Sequence, residues 1–262
     1  MAGYILDQTW ELEAERLEAL QQSCDPVTIE HLRGAGVGAG WQCLEVGAGR
    51  GSIARWLADR VGEGGWVLAV DLDTTLLEEH RDDVLEVRRL DILRDPLPQD
   101  RFDLVHARHV LGHLAERTAA LRRLVTALRP GGVMLVEDFD WRWTQHGEWP
   151  CDLVEHGELV SRVWAAALEV MRAGSYDATW GARLPSALRA AGLVEVRGEV
   201  RAVIGDGDFA RCMYLTIVRF RDRIADAGFC AEGVDRCLEL LADPSNCVTA
   251  PLTFSVWGRR PL

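Results

Sequence analysis

"WQCLEVGAGRGSIARWLADRVG", residues 41–62, decides how the rest of the chain is read. An apolar run, Trp41–Val46, enters a turn holding Gly47, Gly49 and Gly51, and a pattern with helical spacing leaves it. A short apolar run bounded by glycine reads as a buried strand, and the pattern behind the turn as a helix. In an open α/β sheet, ligands sit beyond the carboxyl ends of the strands, near the point where strand order reverses. Glycine there lets the backbone approach a ligand with no Cβ in the way. The following helix aims its first N–H groups at whatever lies above. Tight α/β turns also carry glycine for packing alone. The spacing is G-x-G-x-G behind Glu45, and Ser52 stands where the dinucleotide pattern G-x-G-x-x-G needs its third glycine.

Alternation continues downstream. "GWVLAVD" (65–71), "VLEVRRLD" (84–91), "RFDLVHAR" (101–108) and "GVMLVEDFD" (132–140) read as strands, and helical patterns fall between most of them. Strands alternating with helices imply a parallel sheet with helices on both faces. Two short helices are expected before the first strand, one capped by Thr9, the other by Asp25 with Pro26 in its first turn. A helix is expected over 73–81. Beyond residue 150 helices dominate, interrupted by a strand over 194–204 and closed by "PLTFSVWGRR" (251–260). A late strand after helical inserts points to an antiparallel addition to the sheet.

Two further acids fall at strand ends. Asp71 ends the second strand, 24 residues after Gly47, where a carboxylate can accept hydrogen bonds from both hydroxyls of a ribose. Asp73 is the better N-cap. Asp91 ends the third strand, placed to accept from an exocyclic amine, with Leu72 and Ile92 as apolar walls around a purine.

With Glu45, Asp71 and Asp91 in place, the order "LEVGAGRG", "VLAVDLD", "RRLDIL", "FDLVHARHVLGHL", "LRPGGVMLVED" resembles the class I S-adenosylmethionine-dependent methyltransferases over Trp41 to about Asp138. The resemblance is nearest the small-molecule branch of ubiquinone/menaquinone-type and natural-product enzymes. It implies a Rossmann-like, doubly wound seven-stranded sheet, mostly parallel with an antiparallel last strand, plus a helical cap. One domain is expected, with an N-terminal cap over 1–38, a cofactor core over 39–145 and substrate-side inserts and final strands over 146–262. The implied cofactor is S-adenosyl-L-methionine. By position, Glu45, Gly47, Ala48, Gly49 and Gly51 would surround its methionine and ribose, Asp71 and Leu72 the ribose and adenine, and Asp91 and Ile92 the adenine. Ala107 and Arg108 would lie by the methionine end, Arg108 on the carboxylate or in a surface ion pair. Tyr4 would close over the cofactor. A sulfonium nucleoside has no pyrophosphate, which accounts for the absent third glycine.

Methyl transfer is an in-line displacement that alignment and water exclusion can accelerate. His109 and His113 follow the fourth strand and are the candidate catalytic residues, as orienting groups or as a base. Their i, i+4 spacing would also suit a metal, but no acidic third ligand accompanies it. Trp141, Trp143 and Trp149 cluster with His146; aromatic faces hold planar or cationic substrates, or pack a cap onto a sheet. Trp141, Trp143, His146 and Tyr214 are the candidate acceptor residues. The same scaffold also serves cyclisation, or binding without turnover; a dinucleotide oxidoreductase is the remaining reading.

Composition narrows the partners. The formal charge is −12, from 29 basic and 41 acidic side chains, which disfavours nucleic acid. A small-molecule acceptor and a possible homodimer are expected. The seven cysteines include no CxxC pair, so reduced thiols and no zinc are expected. No secretory pattern opens the sequence and no run is long enough to span a bilayer, so a cytoplasmic location is expected.

Overall fold

A seven-stranded sheet runs through the computed structural model of the chain, which describes Leu6, residues 9–144 and residues 157–262. The strands are β1 (Gln42–Val46), β2 (Trp66–Asp71), β3 (Leu85–Arg89), β4 (Phe102–Arg108), β5 (Leu128–Asp140), β6 (Val194–Arg201) and β7 (Leu252–Arg259). Their order is β3-β2-β1-β4-β5-β7-β6. Strands β1 to β5 pair in parallel, and β7 inserts antiparallel between β5 and β6. The doubly wound sheet with an antiparallel last strand is thus the fold that forms. Order reverses at β1 and β4, whose carboxyl tips open onto one crevice.

Seven helices surround the sheet: α1 (Glu13–Gly34), α2 (Ser52–Val61), α3 (Arg117–Ala127), α4 (Gly157–Ala173), α5 (Leu184–Ala190), α6 (Gly207–Asp226) and α7 (Ala231–Ala242) among the described residues. Alternate strand residues face opposite helical layers. Leu44, Val46, Val105 and Ala107 cluster with Leu121 and Leu124 of α3 and Leu184 of α5. Cys43, Val67 and Leu104 cluster with Ile53 and Leu57 of α2 and Leu32 of α1. Both sheet faces are therefore dry, which is why these strands read as continuous apolar runs. A third cluster joins α4, α6 and α7 to Phe139 and Trp141 at the end of β5. This cluster forms the helical cap over the strand tips.

Three local expectations are corrected. The two helices expected before β1 are one, and α1 runs through Pro26. An interior proline removes one helical N–H and strains the preceding turn. Here α1 is held by tertiary bonds instead: Asp25 and Thr28 bind Arg108, and His31 lies 3.3 Å from Glu137. Neither Asp25 nor Thr9 caps a helix; Leu12 precedes α1 without a side-chain cap. The helix expected over 73–81 shrinks to a 3-10 turn, Glu78–His80.

An interior proline costs about 3 kcal/mol relative to alanine. Pro26→Ala is therefore expected to raise the midpoint of thermal unfolding by several degrees, read by scanning calorimetry. A lowered midpoint would show that α1 needs the proline to reach Arg108 and Glu137.

Candidate active site

The turn after β1 is shaped by its neighbours. The N–H groups of Gly47 and Ala48 donate to Val70 O at 2.8 and 3.2 Å, tying the turn to β2. Gly47 has φ +66°, and a Cβ there would stand 2.2 Å from Val110 Cγ2. Gly51 has φ +85°, and its Cβ would stand 2.9 Å from Leu77 Cδ2. Both glycines thus serve a left-handed backbone and a close approach. Gly49 donates its N–H to Asp71 Oδ2 at 2.9 Å.

A cavity of about 360 Å³ lies between the strand tips and the cap. Of the residues expected from sequence, Glu45, Gly47, Ala48, Gly49, Asp71, Leu72, Asp91, Ile92, Arg108, His109, His113 and Trp141 line it. Gly51, Ala107 and Tyr214 do not. Gly51 packs on Leu77 and His80, Ala107 belongs to the cluster on the α3 and α5 side, and Tyr214 lies under Arg211, 4.9 Å from ring centroid to guanidinium carbon. Tyr4 and His146 fall outside the described residues, as do Trp149 and the side chain of Trp143.

Sequence reasoning missed the α1 residues Glu13, Arg16, Leu17 and Gln21. It also missed Trp164 and Met171 of α4, Tyr176, and Phe209, Cys212, Met213 and Thr216 of α6. The α6 set has i, i+3, i+4, i+7 spacing, a helical face legible in the sequence. Nothing marked that face as a cavity wall.

The strand tips are acidic. Asp71 accepts N–H groups from Gly49 and, at 3.3 Å, from Asp73. Burial raises its pKa, and those N–H groups oppose the rise. Asp91 accepts Leu93 N–H at 2.8 Å and lies 3.2 Å from Arg94 Nε. Asp73, also on the cavity, accepts from the Thr75 N–H and hydroxyl in a local turn; with no helix over 73–81 it caps none, and Leu77 precedes the 3-10 turn. Arg108 forms a partly buried ion pair, 2.7 Å from Asp25 with Thr28 at 2.8 Å. Asp71, Asp73 and Asp91 make this rim acidic, with Arg94 beside Asp91; Glu45 is taken up by His106 and Arg108 by Asp25. The rim suits a cationic, donor-rich ligand and repels a pyrophosphate.

Beneath the rim runs a polar row. Glu45 of β1 stands opposite His106 of β4, and Glu137 of β5 opposite Ser255 of β7, which in turn faces Glu199 of β6. His106 Nδ1 lies 2.6 Å from Glu45, and Nε2 lies 3.3 Å from Glu137. Glu137 also accepts from Ser255 at 2.6 Å and from Thr28, and meets His31 at 3.3 Å. Burial works against a charged His106, but the charge of Glu45 and hydrogen bonds to Glu137 and Glu45 outweigh it and push the ring up to about 9. Burial likewise opposes a charged Glu137, yet His106 and His31 hold it well below the usual carboxylate range. An imidazolium therefore bridges two carboxylates inside the sheet.

Burial holds the two histidines that line the cavity, His109 and His113, toward the neutral form. Burial lowers His109, only partly countered by Asp138, whose Oδ1 is 3.8 Å from Nδ1. Burial pushes His113 down to about 4. His109 sits at φ +55° and stacks on Phe139 with centroids 3.9 Å apart. His113 tilts against Tyr176 at 4.5 Å. Tyr176 accepts the Trp141 indole N–H at 2.9 Å. Leu111–His113 is a 3-10 turn, so His109 and His113 share no α-helical face, and among the described residues no group of three potential ligands could hold a metal.

Residues 44–136 match the methyltransferase domain family. Over 116 residues the chain is 34 % identical to the ubiquinone/menaquinone biosynthesis C-methyltransferase UbiE of Laribacter hongkongensis, covering 42 % of this chain and 48 % of that one. The chain thus spans about half the length of the curated relatives it matches. Among solved structures, the [4+2]-cyclase SpnF superposes with TM-score 0.58 at 18 % identity, over 92 % of this chain and 82 % of that one. Haemonchus contortus phosphoethanolamine N-methyltransferase 2, in complex with S-adenosyl-L-methionine, superposes with TM-score 0.51 at 20 % identity, over 86 % and 50 %. At such identities the superpositions establish the fold.

The raised pKa of His106 gives a stability signature. A group whose folded pKa lies above its unfolded value stabilises fully below the unfolded pKa, and that contribution is lost as pH rises through the folded one. Urea denaturation is expected to show stability lost between pH 6.5 and about 9, with a component absent in His106→Gln. The same slope in both proteins would mean that His106 is not charged in the fold.

Proposed function

We propose that this chain, whose core is a class I S-adenosylmethionine-dependent methyltransferase domain, binds S-adenosylmethionine across the tips of β1 to β3. It transfers the methyl group to O, N or C of a small organic acceptor held under the cap. The observation that carries this reading is the chemistry of the rim. Asp71, at the tip of β2, offers a carboxylate for ribose hydroxyls, and Asp91, beyond β3, one for an exocyclic amine. Leu72 is 46 % exposed yet lines the cavity, and with buried Ile92 it offers apolar faces to a purine. The carboxylates of Asp71, Asp73 and Asp91 favour a ligand bearing a sulfonium and an amino group and disfavour a diphosphate. Bound there, S-adenosylmethionine supplies a methyl group on positively charged sulfur.

The chain's own residues align and dry the acceptor. Phe139, Trp141 and Phe209 form a wall that excludes water, so that alignment supplies much of the acceleration. His109 and His113 orient the acceptor from the turn after β4. Burial that pushes His113 down to about 4 leaves its ring neutral but a weak base at physiological pH, so its part is orientation rather than proton uptake. A quinone-like or natural-product acceptor is supported by the relatives named for ubiquinone and menaquinone biosynthesis.

Calorimetric titration with S-adenosylhomocysteine is expected to give a micromolar-range affinity that Asp71→Asn weakens by at least tenfold, about 1.4 kcal/mol. The asparagine retains an acceptor for Gly49 N–H, which separates ribose binding from loop folding. Undiminished binding would remove the ribose from Asp71. In turnover with labelled S-adenosylmethionine, the label is expected in the product; a product without it would move the chain to a cyclising or other non-methylating reading.

A further inference from the structure

The two edges of the sheet differ in character. At β3 the apolar side chains are packed away, with Leu85 and Val87 buried in the cluster beside α2. At β6 they are not. Among the described residues six large apolar side chains are exposed, and four of them, Val194, Val200, Val203 and Ile204, lie along β6 and the residues that follow it. Of the other two, Leu72 lines the cavity and Leu262 is the last residue.

Strand β6 pairs with β7 on one side only. Its other side presents a row of backbone N–H and C=O groups, a template for another strand. Bulges and charges usually blunt such an edge. The bulge lies at one end of β6, where Glu195 has φ +53° and the register with β7 shifts between Val194 and Arg197. There Arg189 of α5 donates to Val196 O at 3.3 Å. From Arg197 to Arg201 the register is regular. Arg197 and Glu199 flank Gly198 on one face of the strand, and Val196 and Val200 flank it on the other. A single-sign edge would repel a copy of itself. This one is its own complement: an antiparallel copy centred on Gly198 sets Arg197 against Glu199, Glu199 against Arg197, and Val196 against Val200.

The charged pair is available for such a contact. Arg197 is exposed and has no ion pair among the described residues. The Glu199 side chain is 41 % exposed. Its two oxygens take one bond each, from Arg201 and from His31 at 3.3 Å, and a carboxylate has about four lone-pair sites.

We infer that this edge is a dimer interface, and that its occupant is a second copy of the chain. Two β6 strands pair antiparallel about a two-fold axis at Gly198 and join the two sheets into one. The Val194 end of each strand meets the Val200–Ile204 end of the other, which takes exposed apolar surface out of water. The formal charge of −12 opposes association over the rest of the surface, so contact needs local complementarity of this kind.

Sedimentation velocity of the full chain at rising concentration is expected to show a reversible step from one chain mass to two. Arg197→Glu sets like charges opposite each other twice across the axis and is expected to weaken the dimer at least tenfold. Glu199→Arg does the same with the other sign. Mixed in equal amounts, the two variants restore opposite charges at both positions, and they are expected to associate where neither does alone. Val200→Lys, at a side chain 45 % exposed, is expected to dissociate the dimer by charging the edge. With Arg197→Glu it carries the test if Glu199→Arg does not fold. The inference is overturned if the native chain stays at one chain mass up to about 100 μM, or if either Arg197→Glu or Val200→Lys dimerises as tightly as the native chain. It is equally overturned if folded Arg197→Glu and Glu199→Arg do not associate when mixed, or if the native chain assembles past two chain masses, since a two-fold contact closes on itself.

Discussion

One buried cation, the ring of His106, sits where the strand order reverses, and the rest of the site is built around it. It lies between Glu45 of β1 and Glu137 of β5, and Glu137 in turn gathers Thr28 and His31 of α1 and Ser255 of β7. Removing one member of such a set would strand an uncompensated charge in the core, at about 3–5 kcal/mol. The row therefore fixes β1 against β4 just below the glycine turn and docks α1 on the sheet. Glu45 has two faces in this arrangement: it lines the cavity and anchors the row.

The docking of α1 has a consequence for the cavity. The same helix that brings Thr28 and His31 to Glu137 carries Leu17 over Gly49, whose Cβ position is 3.9 Å from Leu17 Cδ1, and carries Glu13 and Arg16 to α6. A single helix thus roofs the acidic rim and carries the paired charges of Glu13 and Arg16 to the cavity wall. The two parts of the cavity differ in kind. The strand tips carry carboxylates; the cap side carries the aromatic faces of Trp141, Trp164 and Phe209 and the ion pair of Glu13 with Arg16.

The rim was legible in the sequence and the chamber was not, for physical reasons. In a parallel sheet the strand tips are the ligand end, so Asp71 and Asp91 can be placed by counting from strand boundaries. His106 is a polar residue inside an apolar strand, and its partners lie 61 and 31 residues away; no local pattern announces such a pairing. Glu13 and Arg16 look like ordinary charges on an amphipathic helix until α6 covers them. Tyr214 lies on the right helix but on the wrong face, since Phe209, Cys212, Met213 and Thr216 turn to the cavity. Pro26 reads locally as a helix start, but the bonds from Asp25, Thr28 and His31 to the sheet carry α1 straight through it.

The central claim is that the negative rim over β1 to β3 grips a sulfonium nucleoside. A crystal structure of the protein with S-adenosylhomocysteine tests it most directly. The ribose hydroxyls are expected within hydrogen-bond distance of Asp71 and the purine between Leu72 and Ile92, its amine toward Asp91. Density for the nucleoside elsewhere in the cavity, or a purine lying against Trp141 and Phe209, would contradict it.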